Sequence, residues 1–135
     1  MKVQVHIVDG PLPNQAIPLH QQNAGAVVEF LGIVRPSEDD RDIDGLDYQT
    51  YDPMADKSLR ALGQQACERF GLIGLSVEHS RGHVPNGQTS FRLRIASAHR
   101  KEALAAMDWF IEVMKRDVPI WKQPVFVDAS ETSRS

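Results

Sequence analysis

The stretch that most limits how this chain can fold runs from Ser97 to Lys122, SAHRKEALAAMDWFIEVMKRDVPIWK. Within it Ala103, Met107, Phe110, Ile111 and Met114 recur at steps of three and four, the period of one buried face of an α-helix. Ser97 is a candidate cap for the first turn, and Pro119 cannot continue helical hydrogen bonding, so the pattern predicts a helix from about Ala98 to about Arg116. Both ends are cationic. His99 and Arg100 fall where free N–H groups and the positive end of the helix dipole would hold an anion such as phosphate. The alternative is a plain surface His-Arg pair. Lys115 falls at the other end, where a lysine also simply complements the negative helix terminus. His99 and Lys115 lie 16 positions apart, or about 24 Å along a helix axis. One small ligand does not reach both ends of one straight helix. If the two ends share a site, a second copy must bring opposite ends together, as a two-fold dimer does.

Composition narrows the class of partner. The chain has 135 residues, 41% of them hydrophobic, enough for one core and a single expected domain. Formal net charge is -3, which does not suit a general polyanion binder, so no nucleic acid is expected. Charge is unevenly spread: Arg92 to Lys122 holds seven of the 15 Lys/Arg and four of the 18 Asp/Glu. A basic site on an acidic body fits a small anionic substrate. Cys67 is the one cysteine, which rules out a disulfide or thiolate metal cluster within one chain and suits a reducing cytosol. The amino-terminal MKVQVHIVDGPLP lacks the apolar core of a signal peptide, and no run reaches the length of a membrane span. A cytoplasmic protein with no membrane partner is expected.

Taken in order, Val3, Val5 and Ile7 alternate with polar residues as in a half-buried strand. Pro11 to Asn23 shows no period and reads as loop, with room for a short helical turn. GAVVEFLGIVR, Gly25 to Arg35, is almost continuously apolar and β-branched, as in a strand buried on both faces or at a sheet centre. Glu29 within it must face solvent or meet a cation. Arg35 at its end is either an anion contact or a solvated edge residue. Ser37 to Asp44, SEDDRDID, reads as a mobile surface loop. Leu46, Tyr48 and Thr50 alternate in a further strand. Asp52-Pro53 reads as a helix start capped by the carboxylate; Leu59, Leu62, Ala66 and Phe70 form the apolar face and Gly71 ends it. Cys67 beside that face reads as a packed thiol. Leu75, Val77 and His79, then Phe91, Leu93 and Ile95, form two arms of a hairpin around Pro85-Asn86-Gly87. His79 and His83, four apart on strand and loop, do not share a face, so no metal site is expected. Ile120 and Trp121 are expected to pack down and fix Lys122, and the polar tail from about residue 128 is expected to be flexible. The fold class is α+β with a largely antiparallel sheet and two main helices.

Four segments then become specific together: GAVVEFLGIVR, YDPMADKSL, SAHR, and K-R-x-V-P-I-W-K. In order and spacing, over roughly residues 25 to 123, the chain resembles the large, catalytic subunit family of molybdopterin synthase. The resemblance implies an α/β-hammerhead fold and a sulfurtransferase of molybdenum cofactor biosynthesis. Such an enzyme converts cyclic pyranopterin monophosphate, precursor Z, into molybdopterin by installing a dithiolene. The sulfur comes from the C-terminal thiocarboxylate of a small ubiquitin-like subunit. It also implies a homodimer at the centre of a heterotetramer with one small subunit at each end. Carried over by position, Lys115 and Lys122 are catalytic, while Arg35, His99 and Arg100 bind the anionic pterin. No resident cofactor is expected, and because the thiocarboxylate already supplies a nucleophilic sulfur, the subunit needs no cysteine of its own. Arginine suits the phosphate through its planar, permanently charged fork. A lysine among other cations suits proton transfer.

The chain departs from that pattern at three places. Many relatives have His-Arg where this chain has His79-Ser80, followed by Arg81. A glutamate often stands where this chain has Pro124, and relatives often carry a longer tail. Two other readings use the same residues: a non-catalytic pterin-binding or assembly module, and a lysine Schiff-base enzyme.

Overall fold

A computed structural model describes residues 2–127. The expectation of a flexible tail from about residue 128 lies outside those residues. The elements are β1 (Val3–Asp9), β2 (Ala26–Ile33), β3 (Ser37–Glu38), β4 (Arg41–Thr50), α1 (Met54–Phe70), β5 (Gly74–Pro85), β6 (Thr89–Ser97), α2 (Arg100–Asp117) and β7 (Ile120–Phe126). They form a seven-stranded sheet in the order β2-β6-β5-β4-β3, with β1 added to β5 and β7 to β4. Among the pairings of the described residues only β1 with β5 is parallel. The α+β class with a largely antiparallel sheet is therefore met.

β5 organises the sheet because its two halves have different neighbours. Gly74 to Arg81 pairs with β1 and β6, and Gly82 to Pro85 pairs with β4. Gly82, at the changeover, has φ +85, a conformation that costs a residue with a Cβ. Leu75 and Val77 of β5 and Phe91, Leu93 and Ile95 of β6 face the helices. They pack with Leu59, Leu62 and Ala66 of α1 and with Ala103, Met107, Phe110 and Met114 of α2. Cys67 is buried in the same cluster, and burial pushes its thiol above the ordinary value, as expected of a packed cysteine.

The alternate residues of β5 and β6 are polar yet buried: Ser76, Glu78, Ser80 and Arg92. Arg92 donates to both carboxylate oxygens of Glu78 at 3.0 Å, and its other terminal nitrogen donates to the Pro13 carbonyl at 2.7 Å. Arg94 likewise donates to the Ile17 carbonyl at 3.2 Å. Two arginines thereby tie the irregular 10–25 segment to the sheet, a segment that forms no helical turn.

Several expectations are corrected. β2 is an edge strand, not a central one: among the described residues it pairs only with β6, and Val27, Phe30, Leu31 and Ile33 stay 39–54% exposed. Continuous apolar sequence cannot separate a covered strand from an edge that meets another surface. Glu29 meets a cation, with its carboxylate 3.6 Å from Arg94. Residues 37–44 do not form a loop. Asp39 and Asp40, at φ 52 and 60, make a two-residue turn between β3 and β4. Ser97 does not cap α2, because pairing with Ala26 keeps it in β6; His99 is the N-cap, and α2 runs Arg100–Asp117. Asp52 does not cap α1 either. Its carboxylate accepts from Thr50 and from Arg81, a charged donor that outcompetes a neutral amide. Gly71 does end α1 in the left-handed conformation.

Removing one member of a buried ion pair leaves the other uncompensated, at a cost of about 3–5 kcal/mol. Glu78→Ala is expected to lower the unfolding free energy by about that amount in urea titration. A loss below about 1 kcal/mol would show that the pair does not hold the sheet to the 10–25 segment.

Candidate functional site

The cationic residues singled out in the sequence gather at two places. Arg35 lies two residues beyond the end of β2, Lys115 lies in the last turn of α2, and Lys122 is the third residue of β7. All three line one cavity of about 540 Å³. His99 and Arg100 line a different depression, of about 630 Å³, at the opposite end of α2, with Gly25, Ala26, Ala98, Lys101 and Leu104. One chain does not unite the five residues, for the reason of helix length given above.

The chain reversal after α2 brings Lys122 to the same cavity as Lys115. Pro119 stops the helix, and the Val118 amide still bonds the Met114 carbonyl at 3.1 Å. The Tyr51 amide bonds the Pro119 carbonyl at 3.1 Å, which pins the reversal to the end of β4. β7 then runs antiparallel along β4 with Lys122 opposite Tyr48. Ile120 packs on the core as expected, but Trp121 does not: it is 58% exposed and lines the cavity mouth.

Phe30, Ile33, Ile111, Met114 and Ile120 give the cavity an apolar wall. Tyr48, His79 and Ser90 form its polar floor. Tyr48 and Ser90 share a hydrogen bond of 2.8 Å between hydroxyls, and Tyr48 meets the His79 ring edge-on at 5.1 Å. His79 Nδ1 lies 2.8 Å from the Ser80 carbonyl. A carbonyl only accepts, so Nδ1 carries the hydrogen and the neutral ring keeps Nε2 as an acceptor.

Of the cations, Lys122 has a carboxylate partner, with Nζ 3.4 Å from Glu38 Oε1. Among the described residues neither Arg35 nor Lys115 has a side-chain hydrogen bond or ion pair. A cavity with an apolar wall and unpaired cations at its rim favours an anion that also carries a flat, partly apolar body. Across the molecule, His99 Nδ1 is 3.9 Å from Glu102, and Arg100 and Lys101 open toward solvent at the first turn of α2.

Arg81, one position beyond Ser80, does not reach the cavity. Its guanidinium bonds Asp9 and Asp52, and it holds the Asp9 carboxyl below the usual range. Ser80 is buried on the opposite face of the sheet from His79. His83 bonds Asp47 at 2.7 Å on the surface and is not brought to His79. Glu38 was missed by sequence reasoning, because nothing separates it from Asp39 and Asp40 until β3 forms.

An α+β domain with an apolar-walled, cation-rimmed cavity at one end of a long helix has a site suited to an anion, and comparison with known proteins narrows its class. Residues 9–117 match the MoaE protein family, and the chain belongs to that family. It is 40% identical over 106 residues to the molybdopterin synthase catalytic subunit of Emericella nidulans, a match spanning 78% of this chain and 54% of that protein. With the counterpart from Aspergillus niger the match spans 59% of the relative. The chain thus spans little more than half the length of these curated relatives. The counterpart from Dictyostelium discoideum is 34% identical, with 81% of this chain and 70% of that protein covered. Among solved structures, molybdopterin synthase from Staphylococcus aureus superposes with a TM-score of 0.79 at 32% identity, covering 91% of both chains. A complex of subunits 1 and 2 of molybdopterin-converting factor from Helicobacter pylori gives 0.71 at 28% identity, covering 93% of this chain and 90% of that one.

Burial holds His79 below the ordinary imidazole value of 6.5, only partly offset by its bond to Ser80. The unfolded chain therefore takes up a proton at a higher pH than the folded one. The stability contributed by neutral His79 is complete above about pH 6.5 and is lost as pH falls through the folded value. Urea unfolding is expected to show a lower midpoint at about pH 5.5 than at about pH 7.5, with a smaller difference for His79→Phe. Equal differences in the two proteins would reject this.

Proposed function

We propose that this chain is the catalytic subunit of a molybdopterin synthase, a cytoplasmic sulfurtransferase that converts cyclic pyranopterin monophosphate into molybdopterin. The observation that carries the reading is the convergence of Arg35, Lys115 and Lys122 on one apolar-walled cavity, in a chain of the MoaE protein family. Sulfur arrives as the thiocarboxylate of a small ubiquitin-like partner, so the subunit needs no nucleophile of its own. This agrees with a cysteine buried in the helix–sheet core. Lys115 and Lys122 are assigned the catalytic roles, moving protons and holding the partner's anionic terminus. Arg35 takes part in binding the substrate anion.

His99 and Arg100 are assigned to the same substrate through a second copy of the chain. Two features support this. α2 has 18 residues, so its ends are about 27 Å apart, too far for one ligand. The apolar edge strand β2 follows Gly25 and ends two residues before Arg35, so the exposed Val27 and Leu31 lie along the chain between segments that line the two depressions, and the exposed Ile33 lines the second. A two-fold pairing at this edge would bury them and leave a small subunit at each end of a heterotetramer.

The test is to mix the chain with a thiocarboxylated small subunit and cyclic pyranopterin monophosphate and follow dithiolene formation. Lys115→Ala is expected to lower turnover by about 10²–10⁴-fold, the usual weight of a positioned acid or base. Turnover within a few-fold of the parent would reject the assignment, and absence of product from the parent chain would reject the function.

A further inference from the structure

We infer that Glu38 is a positioning residue for Lys122, holding its ammonium group inside the cavity from the β3–β4 hairpin. The inference rests on the function proposed above and adds a residue that the resemblance did not supply. Among the described residues Glu38 is the one acidic residue lining the cavity, and its Oε1 lies 3.4 Å from Lys122 Nζ. The Lys122 side chain is 56% exposed and that of Glu38 18%. A lysine that open has four freely turning bonds and no packing to direct it into the cavity.

Its own strand offers no help. The residues two places away on the same face, Ile120 and Pro124, carry no charge, and neither does Tyr48 opposite. The carboxylate has to come from elsewhere in the fold. Glu38 pairs with Arg41 across the turn, and the Arg41 guanidinium lies 3.8 Å from the centre of the Phe126 ring on β7. Ile43, which is 1% exposed, anchors the hairpin, its backbone N–H donating a hydrogen bond to the Pro36 carbonyl. The hairpin is thus attached to the strand carrying Lys122 at a second point, so Glu38 and Lys122 are held in register. Exposed ion pairs are weak. An incoming carboxylate or thiocarboxylate can therefore replace Glu38 at Lys122 without a large penalty.

The test separates charge from shape by moving the carboxylate. With a thiocarboxylated small subunit and cyclic pyranopterin monophosphate, Glu38→Gln is expected to lower kcat about tenfold, as slight misplacement of a reacting group does, with KM for the pterin little changed. Adding Pro124→Glu to Glu38→Gln places a carboxylate on the same face two residues from Lys122, and is expected to recover most of the loss. A Glu38→Gln enzyme as fast as the parent would overturn the inference. So would a double variant no better than the single one, since the hairpin's shape and not its charge would then matter.

A second measurement stands even if the parent chain makes no dithiolene, an outcome that would count against the proposed function alone. In protein with ¹³C-dimethylated lysines, the Lys122 resonance, assigned by its loss in Lys122→Arg, is expected to move on Glu38→Gln toward that of the exposed Lys101. An unmoved resonance would overturn the pairing irrespective of activity.

Discussion

The site depends on one constraint: the chain must leave α2 and reverse within two residues. Pro119 ends the helical ladder, and its carbonyl is fixed by the Tyr51 amide at the end of β4. From there the β7–β4 pairing places Lys122 opposite Tyr48, while Lys115 stays on the last turn of α2. Two lysines seven positions apart reach one cavity only because helix and strand run back to back at that point. A continued helix would have carried Lys122 about 10 Å further along the axis.

The electrostatics follow from where the backbone pairs. Three cations reach the cavity from the β2–β3 connection, α2 and β7, and among the described residues a single acidic one, Glu38, lines it with them. Other acids are tied up elsewhere: Glu78 in the buried pair with Arg92, Asp9 and Asp52 on Arg81, and Asp47 on His83. An overall net charge of -3 is thus compatible with a locally positive cavity. The Glu78–Arg92 pair also does structural work, since Arg92 reaches the Pro13 carbonyl and holds irregular chain over a polar sheet face. Arginine fits that position because its fork bonds a carboxylate and a carbonyl at once.

The two helices, the hairpin through Asn86-Gly87 and the α+β class were legible from periodicity, because a buried helix face and an alternating strand both repeat along the sequence. The helix ends were less so. Ser97 and Asp52 have capping chemistry, yet one is held in β6 by pairing with Ala26 and the other is engaged by Arg81, 29 positions away. Acidic residues 37–44 have the composition of a loop, but two aspartates that tolerate positive φ close a tight hairpin. Trp121 has the size of a core residue, yet its position on β7 leaves it at the cavity mouth. For Ser97 and Asp52 a partner distant along the chain overrode a sound local preference, whereas the 37–44 turn follows from backbone conformations that composition alone does not reveal.

The sequence by itself determined that the ends of α2 are cationic and too far apart for one ligand, since helical rise is constant and the positions of His99, Arg100 and Lys115 are given by counting. Its four motifs also identified the family. Only the tertiary structure decided which residues share a cavity. It showed that Arg35 and Lys122 join Lys115, that Arg81 does not, and that Glu38 does. Those outcomes turn on strand order and register, and a sheet is assembled from segments whose separation along the chain carries no trace of which edge each will find.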